Sequence, residues 1–227
     1  MVICFGSFEC AHPRWQWWMG LIQARSFLPA RRVVKLAAAS DGLTVTSVGE
    51  LSFSAQHVVI AAGSWGAGIE VGRDKSRVPV RPVKGQLVCL RLPRAQFHRV
   101  IWGSRCYLVP WPDGTVLVGG TVEDVGFDER PTADALAELL SAATELVPEV
   151  GRASFEDVRV GLRPIMPDEL PVVGQSSHTL GLLYALGHYR NGVMLAPLTA
   201  KLIADLIVSE TTDTLLEAVA PQRFGEL

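Results

Sequence analysis

A short apolar run that leads into a glycine-bracketed turn constrains the fold of this chain most strongly. The run covers residues 182–186 and is typical of a buried strand. Apolar residues then recur at helical spacing: Leu198, Leu202, Ile203, Leu206 and Ile207. A strand that turns at glycine into a helix leaves unpaired backbone N–H groups and a positive dipole end beyond the strand. The sequence therefore predicts a site for an anion at this turn, which also carries Arg190. The alternative is an ordinary connection between a strand and a helix, with a solvated arginine.

The composition indicates a globular protein. The chain has 227 residues, of which 48% are hydrophobic and 19% charged, enough for one large or two small domains. A net charge of -2 gives no electrostatic footprint for nucleic acid. The apolar runs fall far below the roughly 20 residues that cross a bilayer. The first residues lack the features of a signal peptide, so we expect a cytoplasmic protein with free thiols.

Apolar runs and turn residues predict the order of elements along the chain. Three early segments have strand character, with turns at 41–42 and 49–50: residues 32–36, 43–48 and 56–62. Residues 58–62 are continuously apolar, which is typical of a strand buried on both faces. Between residues 77 and 150 the pattern predicts antiparallel strands and one long helix that begins near Thr132. A short helix is also expected over residues 14–25.

The glycines that follow the early buried strand mimic a dinucleotide-binding motif. Gly63, Gly66 and Gly68 have the spacing GxxGxG, which reverses GxGxxG, so a plain turn is the favoured interpretation. The 227 residues contain no GxGxxG and no phosphate-binding P-loop sequence. The four cysteines form no CxxC pair and the five histidines are scattered, so no metal site is predicted.

Two polar side chains on strands are candidates for ligand binding. Arg163 follows a strand and precedes a proline, and its planar guanidinium matches a carboxylate. Tyr107 lies in an apolar strand, where its hydroxyl needs a partner if it is buried. A surface salt bridge for the arginine and a core position for the tyrosine are the alternatives. Together with a second arginine they would form a carboxylate clamp, but spacing alone does not show that they converge.

Several motifs, taken in order, resemble those of one enzyme family. The motifs span residues 58–65, 82–86, 106–110, 161–164, 168–174 and 187–197, within a match from about residue 12 to about residue 208. They resemble the glycine oxidases, the thiamine-pathway members of the D-amino acid oxidase superfamily of FAD-dependent oxidoreductases. The segment at 187–197 is similar to the C-terminal flavin motif of that family.

The resemblance implies a mixed α+β and α/β fold in two parts. A discontinuous, partial, Rossmann-like FAD-binding domain would comprise residues 11–76 and 152–210. A substrate domain built on an antiparallel sheet would be inserted at residues 77–151, and residues 211–227 would form a C-terminal tail.

The resemblance also assigns roles to individual residues. Tyr107 and Arg163 correspond to the residues that hold the substrate carboxylate, and Arg190 lies at the flavin-facing wall of the substrate site. Val33 resembles the valine whose backbone meets the adenine. The remaining expected flavin-binding residues are Ala62, Gly63, His188, Tyr189, Arg190, Asn191, Gly192, Val193 and Met194. No acid–base residue is implied.

The chemistry implied by the family is oxidation of the C–N bond of glycine, another small D-amino acid or a secondary amine. Hydride passes from the substrate α-carbon to flavin N5, the imine hydrolyses to an oxo acid, and molecular oxygen reoxidises the flavin to give hydrogen peroxide. Some relatives link flavin to a cysteine near the segment 161–164. This sequence has no cysteine after Cys106, so non-covalent FAD is expected.

One part of the family pattern is missing. Members begin with a βαβ unit of at least about 30 residues whose GxGxxG cradles the FAD pyrophosphate, and His12 comes too early to leave room for it. We therefore expect an N-terminally truncated oxidase in which Trp15, Trp17 and Trp18 partly cover the open sheet edge. The alternative is a catalytically inactive remnant that binds a small carboxylate or a partner subunit. A homo-oligomer or a complementing subunit would fit either interpretation.

Overall fold

The computed structural model describes residues 2–5, 32–72, 77–92, 97–225 and 227. The helix expected over residues 14–25 lies outside this part of the chain. So do the three tryptophans proposed to cover a sheet edge, Trp15, Trp17 and Trp18.

The described chain divides into two compact units. The first combines Met1–Arg81 with Pro164–Leu227, and the second is Pro82–Arg163. Residues 152–163, which were expected in the FAD-binding domain, belong to the second unit. Residues 211–227, treated above as a separate tail, belong to the first unit.

The described residues form the following strands and α-helices. The strands are β1 (Val2–Phe5), β2 (Val33–Ala39), β3 (Gly42–Ser47), β4 (Ser52–Ala55), β5 (Val58–Ala61), β6 (Glu70–Val71), β7 (Arg81–Arg91), β8 (Ile101–Trp102), β9 (Tyr107–Pro110), β10 (Thr115–Gly119), β11 (Ser154–Ile165), β12 (Val172–Gln175) and β13 (Leu182–Leu186). The helices are α1 (Ala133–Leu146), α2 (Gly192–Ala204) and α3 (Leu215–Val219).

A four-stranded sheet in the order β1-β5-β13-β12 lies at the centre of the first unit. β5 runs parallel to both of its neighbours, and β12 pairs antiparallel with β13 at the edge. Val58, Val59 and Ile60 of β5 are all buried, which confirms the predicted strand with two covered faces. Because side chains alternate along a strand, each face of β5 contributes to a different core.

A second sheet, in the order β4-β3-β2-β6, belongs to the same unit. The hairpin of β2 and β3 was predicted, but the next strand was not. The turn at Gly49 and Glu50 leads into β4, which pairs antiparallel with β3, rather than directly into the buried strand. The prediction of one strand over residues 56–62 is thus wrong at its start, because β5 begins only at Val58.

Two apolar cores cover the two faces of the central sheet. Ile60 and Leu182 join a cluster that includes Leu36 and Val45 of the second sheet. Val59 and Leu183 belong to the other cluster, which includes residues of α2 and α3: Leu202, Ile203 and Leu216. The first unit therefore has three layers, sheet, sheet and helices, which fixes the direction in which β13 leads into α2.

The second unit is a five-stranded sheet in the order β11-β7-β10-β9-β8, with α1 against one face. β7, β10 and β9 are antiparallel neighbours, as the turn residues predicted. The helix begins where it was expected, with Thr132 at its N-cap position. The Thr132 side chain makes no capping hydrogen bond, however, because its hydroxyl accepts one from the amide of Gln86.

The helical segment after β13 is long and mostly uncovered. α2 continues through a π-helical turn at Asp205–Ser209, and Leu202 and Ile203 face the core as the periodicity predicted. The segment Tyr189–Ser209 has 21 residues, and an 18-residue window within it has a mean hydropathy of 1.6, so by length and composition alone it could cross a membrane. Three charged residues interrupt it, namely Arg190, Lys201 and Asp205.

Candidate functional site

The chain changes direction at Gly187, directly after β13. Gly187 has a φ of +81°, and a Cβ atom there would lie 2.5 Å from Cγ of Met166. Both the backbone conformation and the available space therefore require glycine. The next residue, His188, forms an isolated antiparallel bridge with Ile165, which fixes the turn against the end of β11.

The turn ends in an uncapped helix N-terminus. Tyr189–Asn191 form a short 3₁₀ turn, in which the Asn191 N–H donates to the His188 carbonyl at 2.9 Å. The Asn191 side chain makes no capping hydrogen bond. The first N–H groups of α2 and the positive end of its dipole are thus available to an anionic group. The predicted order of strand, glycine turn and helix is confirmed.

Several expected cofactor-binding side chains lie on the surface of the first unit. Val193 and Met194, in the first turn of α2, are 71% and 74% exposed. Arg190 is also exposed, and within the described residues its guanidinium makes no hydrogen bond or ion pair. An apolar surface beside an unpaired cation is suited to a ligand with a flat ring and an anionic edge.

His188 connects the turn to the helix. Its Nε2 lies 2.8 Å from Oγ1 of Thr199, two turns into α2. Burial lowers the pKa of the imidazole, so the neutral form is favoured in the folded protein. A neutral ring at this position orients the turn without placing a second positive charge beside Arg190.

Ala62 and Gly63 lie at the same sheet edge as the turn after β13. They directly follow β5, which is parallel to β13 with Ile60 paired to Tyr184. The carboxyl ends of neighbouring parallel strands meet at one edge, where ligands of open α/β sheets bind. Gly63, with a φ of +54°, opens the 3₁₀ helix Gly63–Gly68. The plain turn expected from the reversed GxxGxG spacing is therefore a helical turn.

Val33 stands apart from this edge. It is the first residue of β2 in the second sheet, where it packs half-buried against the core that the two sheets share. The other expected cofactor residues all belong to the edge formed by β5 and β13.

Tyr107 and Arg163 each lie against a glycine of the second unit. Tyr107 on β9 pairs with Gly119 on β10, and a Cβ at Gly119 would lie 2.5 Å from the Tyr107 hydroxyl. A Cβ at the next residue, Gly120, would lie 3.4 Å from Nη2 of Arg163. The phenol and the guanidinium therefore lie over consecutive glycines, which leave room for both.

Backbone groups hold the Arg163 guanidinium in place. Its Nη1 donates to the carbonyls of Thr121 at 3.0 Å and Lys84 at 3.3 Å. A Cβ at Gly85 would lie 2.2 Å from both Nη1 and Nη2, so the glycine makes space for the fork. Among the described residues Arg163 forms no ion pair, in contrast to the surface salt bridge considered above. A guanidinium that is held in place and has no Asp or Glu partner among the described residues is well suited to bind a carboxylate.

Two buried polar side chains near this arginine were not predicted from the sequence. Lys84 and Gln86 lie in the interior of strand β7 and are 1% and 0% exposed. The signal that could have found them is two long polar side chains in a strand that is buried on both faces. Trp102 was also not identified, although its ring packs against Tyr107 with centroids 4.9 Å apart.

No group of three or more His, Cys, Asp or Glu residues in the described part of the chain could hold a metal ion. Cys89 and Cys106 are buried free thiols, and burial raises the pKa of each. Raised pKa values leave both thiols protonated and poorly nucleophilic near neutral pH.

Comparison with known proteins places this geometry in a family. A family model described as FAD dependent oxidoreductase matches residues 20–206. The bifunctional protein ThiO/ThiG of Synechocystis sp. is 39% identical over 197 residues, which cover 85% of this chain and 29% of that protein. Glycine oxidase of Geobacillus kaustophilus is 37% identical over 183 residues, covering 79% of this chain and 48% of the oxidase.

Solved structures agree with the sequence relatives. The crystal structure of glycine oxidase from Geobacillus kaustophilus superposes with a TM-score of 0.76 at 32% identity, covering 89% of this chain and 53% of the other. The chain thus spans about half the length of the glycine oxidase that it matches. The expected mixed α/β fold with an antiparallel sheet is confirmed. The chain belongs to the family of FAD-dependent oxidoreductases that includes the glycine oxidases.

Proposed function

We propose that this chain provides the substrate-binding unit and the flavin-ring segment of an oxidoreductase that acts on glycine, another small D-amino acid or a secondary amine. The observation that carries the proposal is that Tyr107 and Arg163 lie against two consecutive glycines, Gly119 and Gly120. A guanidinium pairs with a carboxylate through two parallel hydrogen bonds, and a phenol can donate a third. In an amino acid the carboxylate is bonded to the carbon that is oxidised, so this clamp would fix the reacting carbon.

Arg190 is the third proposed substrate-binding residue. Its exposure and its lack of an ion pair within the described chain leave its charge available to a ligand. The adjacent N-terminus of α2 favours negative charge in the same place. Both features support a role for Arg190 at the wall that faces the flavin.

FAD is the proposed cofactor, and we propose that it binds without a covalent link. The residues that would hold the ring system are the turn and first helical turn after β13, from His188 to Met194, with Ala62 and Gly63 beside them. Val33 would meet the adenine. Uncapped N–H groups at the start of α2 suit the electron-rich edge of a reduced flavin ring. The fit is partial, because the 227 residues contain no GxGxxG loop for the pyrophosphate.

The proposed reaction moves two electrons and needs little acid–base chemistry from the protein. When bound, FAD supplies the acceptor for the hydride of the substrate α-carbon, and molecular oxygen removes both electrons as hydrogen peroxide. Tyr107 and Arg163 would orient the α-carbon and keep the carboxylate ionised. The imine product takes up water and releases an oxo acid together with ammonia, or with a primary amine where the substrate is a secondary amine. No catalytic acid or base is assigned.

A second function, as a binding module, is favoured by the second unit, which has an apolar core of its own and contains both Tyr107 and Arg163. The chain spans about half of a related glycine oxidase. A catalytically inactive module would keep the carboxylate clamp of the second unit and bind a small carboxylate or a partner subunit.

Under either function we propose a cytoplasmic protein that binds neither nucleic acid nor a membrane. It would act as a homo-oligomer or with a complementing subunit. The net charge of -2 argues against nucleic acid. The Lys201–Asp205 ion pair within the apolar helical segment argues against a membrane span. Val193 and Met194 would instead be covered by protein or cofactor.

Absorbance spectroscopy tests the two functions against each other. The purified chain is incubated with excess FAD and desalted, and its spectrum is recorded. An oxidase is expected to retain flavin near one per chain and to form peroxide when glycine is added. A colourless protein that still binds glycolate would contradict the oxidase and support the binding module. Loss of glycolate binding in the variant Arg163→Lys, with Glu156→Gln as the control, identifies the clamp.

A further inference from the structure

A buried ammonium group lies beneath the proposed carboxylate clamp. The side chain of Lys84 is 1% exposed, and its Nζ donates to the Arg130 carbonyl at 2.7 Å. Nζ also lies 3.4 Å from Oε2 of Glu123. Lysine is almost never fully buried without a partner, so the carboxylate of Glu123 is what permits this position.

The Glu123 carboxylate is the centre of a wider network. Its Oε1 accepts hydrogen bonds from the amide of Gln86 at 2.8 Å and from the hydroxyl of Thr121. Burial alone would raise the pKa of Glu123, but the hydrogen bonds from Thr121 and Gln86 and the charge of Lys84 outweigh it, so the pKa is lowered. Gln86 also accepts from the N–H of Thr132 at 2.9 Å, which ties the network to the start of α1.

The backbone of the same residues holds the guanidinium of Arg163. Lys84 and Glu123 exchange two backbone hydrogen bonds, at 2.9 and 3.0 Å. The Lys84 carbonyl accepts a further bond from Nη1 of Arg163, which also donates to the Thr121 carbonyl. Both carbonyls that orient Arg163 thus belong to residues whose side chains meet at Glu123.

We propose that Lys84 and Glu123 are positioning residues for carboxylate binding, which act through the carbonyls of Lys84 and Thr121 on the guanidinium of Arg163. The inference rests on the proposed function of Arg163. Stability does not explain the pair, because a buried ion pair is often no more stabilising than apolar residues of the same volume. The two carbonyls occupy Nη1, which leaves the edge formed by Nε and Nη2 for the two hydrogen bonds of a carboxylate, with Nη2 beside Gly120.

Two variants and a matched control test the role of the pair. Glu123→Gln keeps the shape and removes the charge, and Lys84→Met removes the ammonium. Glu156→Gln is the control, because Glu156 pairs with Arg91 on the same strand β7 and is exposed to a similar degree, 32% against 24% for Glu123. If Lys84→Met does not fold, Glu123→Gln alone decides the test.

The first readout is the dissociation constant for glycolate, obtained by NMR titration of the full chain. Both variants are expected to weaken binding about tenfold, the size of one charge-assisted hydrogen bond, while the control stays within about twofold. Variants that bind glycolate as tightly as the control would overturn the inference. If Arg163→Lys leaves the dissociation constant unchanged, the proposed function of Arg163 fails instead.

The second readout needs no ligand. Guanidinium ¹⁵N spectra report hindered rotation of the Nη groups, and the Arg163 signals are assigned from their loss in Arg163→Lys. The parent protein and Glu156→Gln are expected to show slow rotation. Glu123→Gln is expected to show fast rotation at temperatures where it is folded, together with a lower unfolding temperature, because the buried Lys84 ammonium loses its counter-charge. Slow rotation in a folded Glu123→Gln variant would contradict the positioning role even if glycolate does not bind.

Discussion

At the scale of single residues, glycines decide whether Tyr107 and Arg163 can occupy their positions. Any side chain at Gly119 would strike the phenol, and any at Gly85 would strike the guanidinium. The space that these residues leave is filled by functional groups of other strands rather than by solvent. The missing Cβ atoms are therefore part of the geometry of the proposed carboxylate clamp.

The substitution Gly85→Ala tests this arrangement. Its methyl group would lie 2.2 Å from the guanidinium nitrogens, so Arg163 has to move away from the Lys84 carbonyl. We expect glycolate binding to weaken about tenfold or more, measured by NMR titration. The control is Gly161→Ala on β11, the strand of Arg163, where a Cβ meets nothing within 4 Å. Equal losses in the two variants would contradict the packing argument.

At the scale of elements, the apolar pattern predicted the strands that are buried on both faces and the helix that buries one face. β5 and β13 were recognised from continuous apolar runs, and α1 from its helical spacing. β4 was missed because its residues are small, polar and half-exposed, with Phe53 as the one large apolar residue among them. Local propensity has little weight in such a strand, and pairing with β3 stabilises it instead.

The candidate site was predictable residue by residue but not as a geometry. The motifs and their family resemblance singled out Tyr107 and Arg163, while their placement against consecutive glycines depends on strand register, which opposes Tyr107 to Gly119. Register follows from tertiary pairing that no local pattern contains. The ion pair of Lys84 and Glu123 was missed for the same reason, because the two residues are far apart in sequence and meet through an isolated β-bridge.

The connection between the glycine turn and α2 predicts a pH dependence of stability. Burial lowers the pKa of His188 below its unfolded value of about 6.5. The unfolded chain then binds the extra proton first, so this contribution to the unfolding free energy is complete above about pH 6.5 and is lost as the pH falls through the folded pKa. Urea unfolding at about pH 7.5 and about pH 5.5 should give a larger difference for the parent than for His188→Gln.

An exposed histidine provides the control for this prediction. The control variant is His98→Gln, which makes the same substitution at an exposed side chain. If His188→Gln and His98→Gln show the same pH dependence, protonation of His188 does not destabilise the turn. Carboxylates that titrate in the same range affect all three proteins equally and cancel in the comparison.

At the scale of the whole molecule, the two units have separate apolar cores and separate parts of the proposed function. The clusters of the first unit involve the two sheets, α2 and α3, and the cluster of the second unit involves α1 and its sheet. The residues proposed for flavin all lie in the first unit, and the carboxylate clamp lies in the second. The cofactor and a substrate analogue should therefore protect different segments of the chain from hydrogen exchange.

Hydrogen exchange measured by mass spectrometry tests whether the cofactor and the carboxylate bind to different units. FAD is expected to slow exchange in peptides that contain Gly63 and residues 188–194, because ordering of the ring would restrict opening of the turn and the first turn of α2. Glycolate is expected to slow exchange around Tyr107 and Arg163 instead.

ATP is the control ligand, since it carries adenine and phosphates without a flavin ring. Equal protection of residues 188–194 by ATP and FAD would show that the turn binds anions rather than flavin. Protection by glycolate without protection by FAD would favour the binding module over the oxidase.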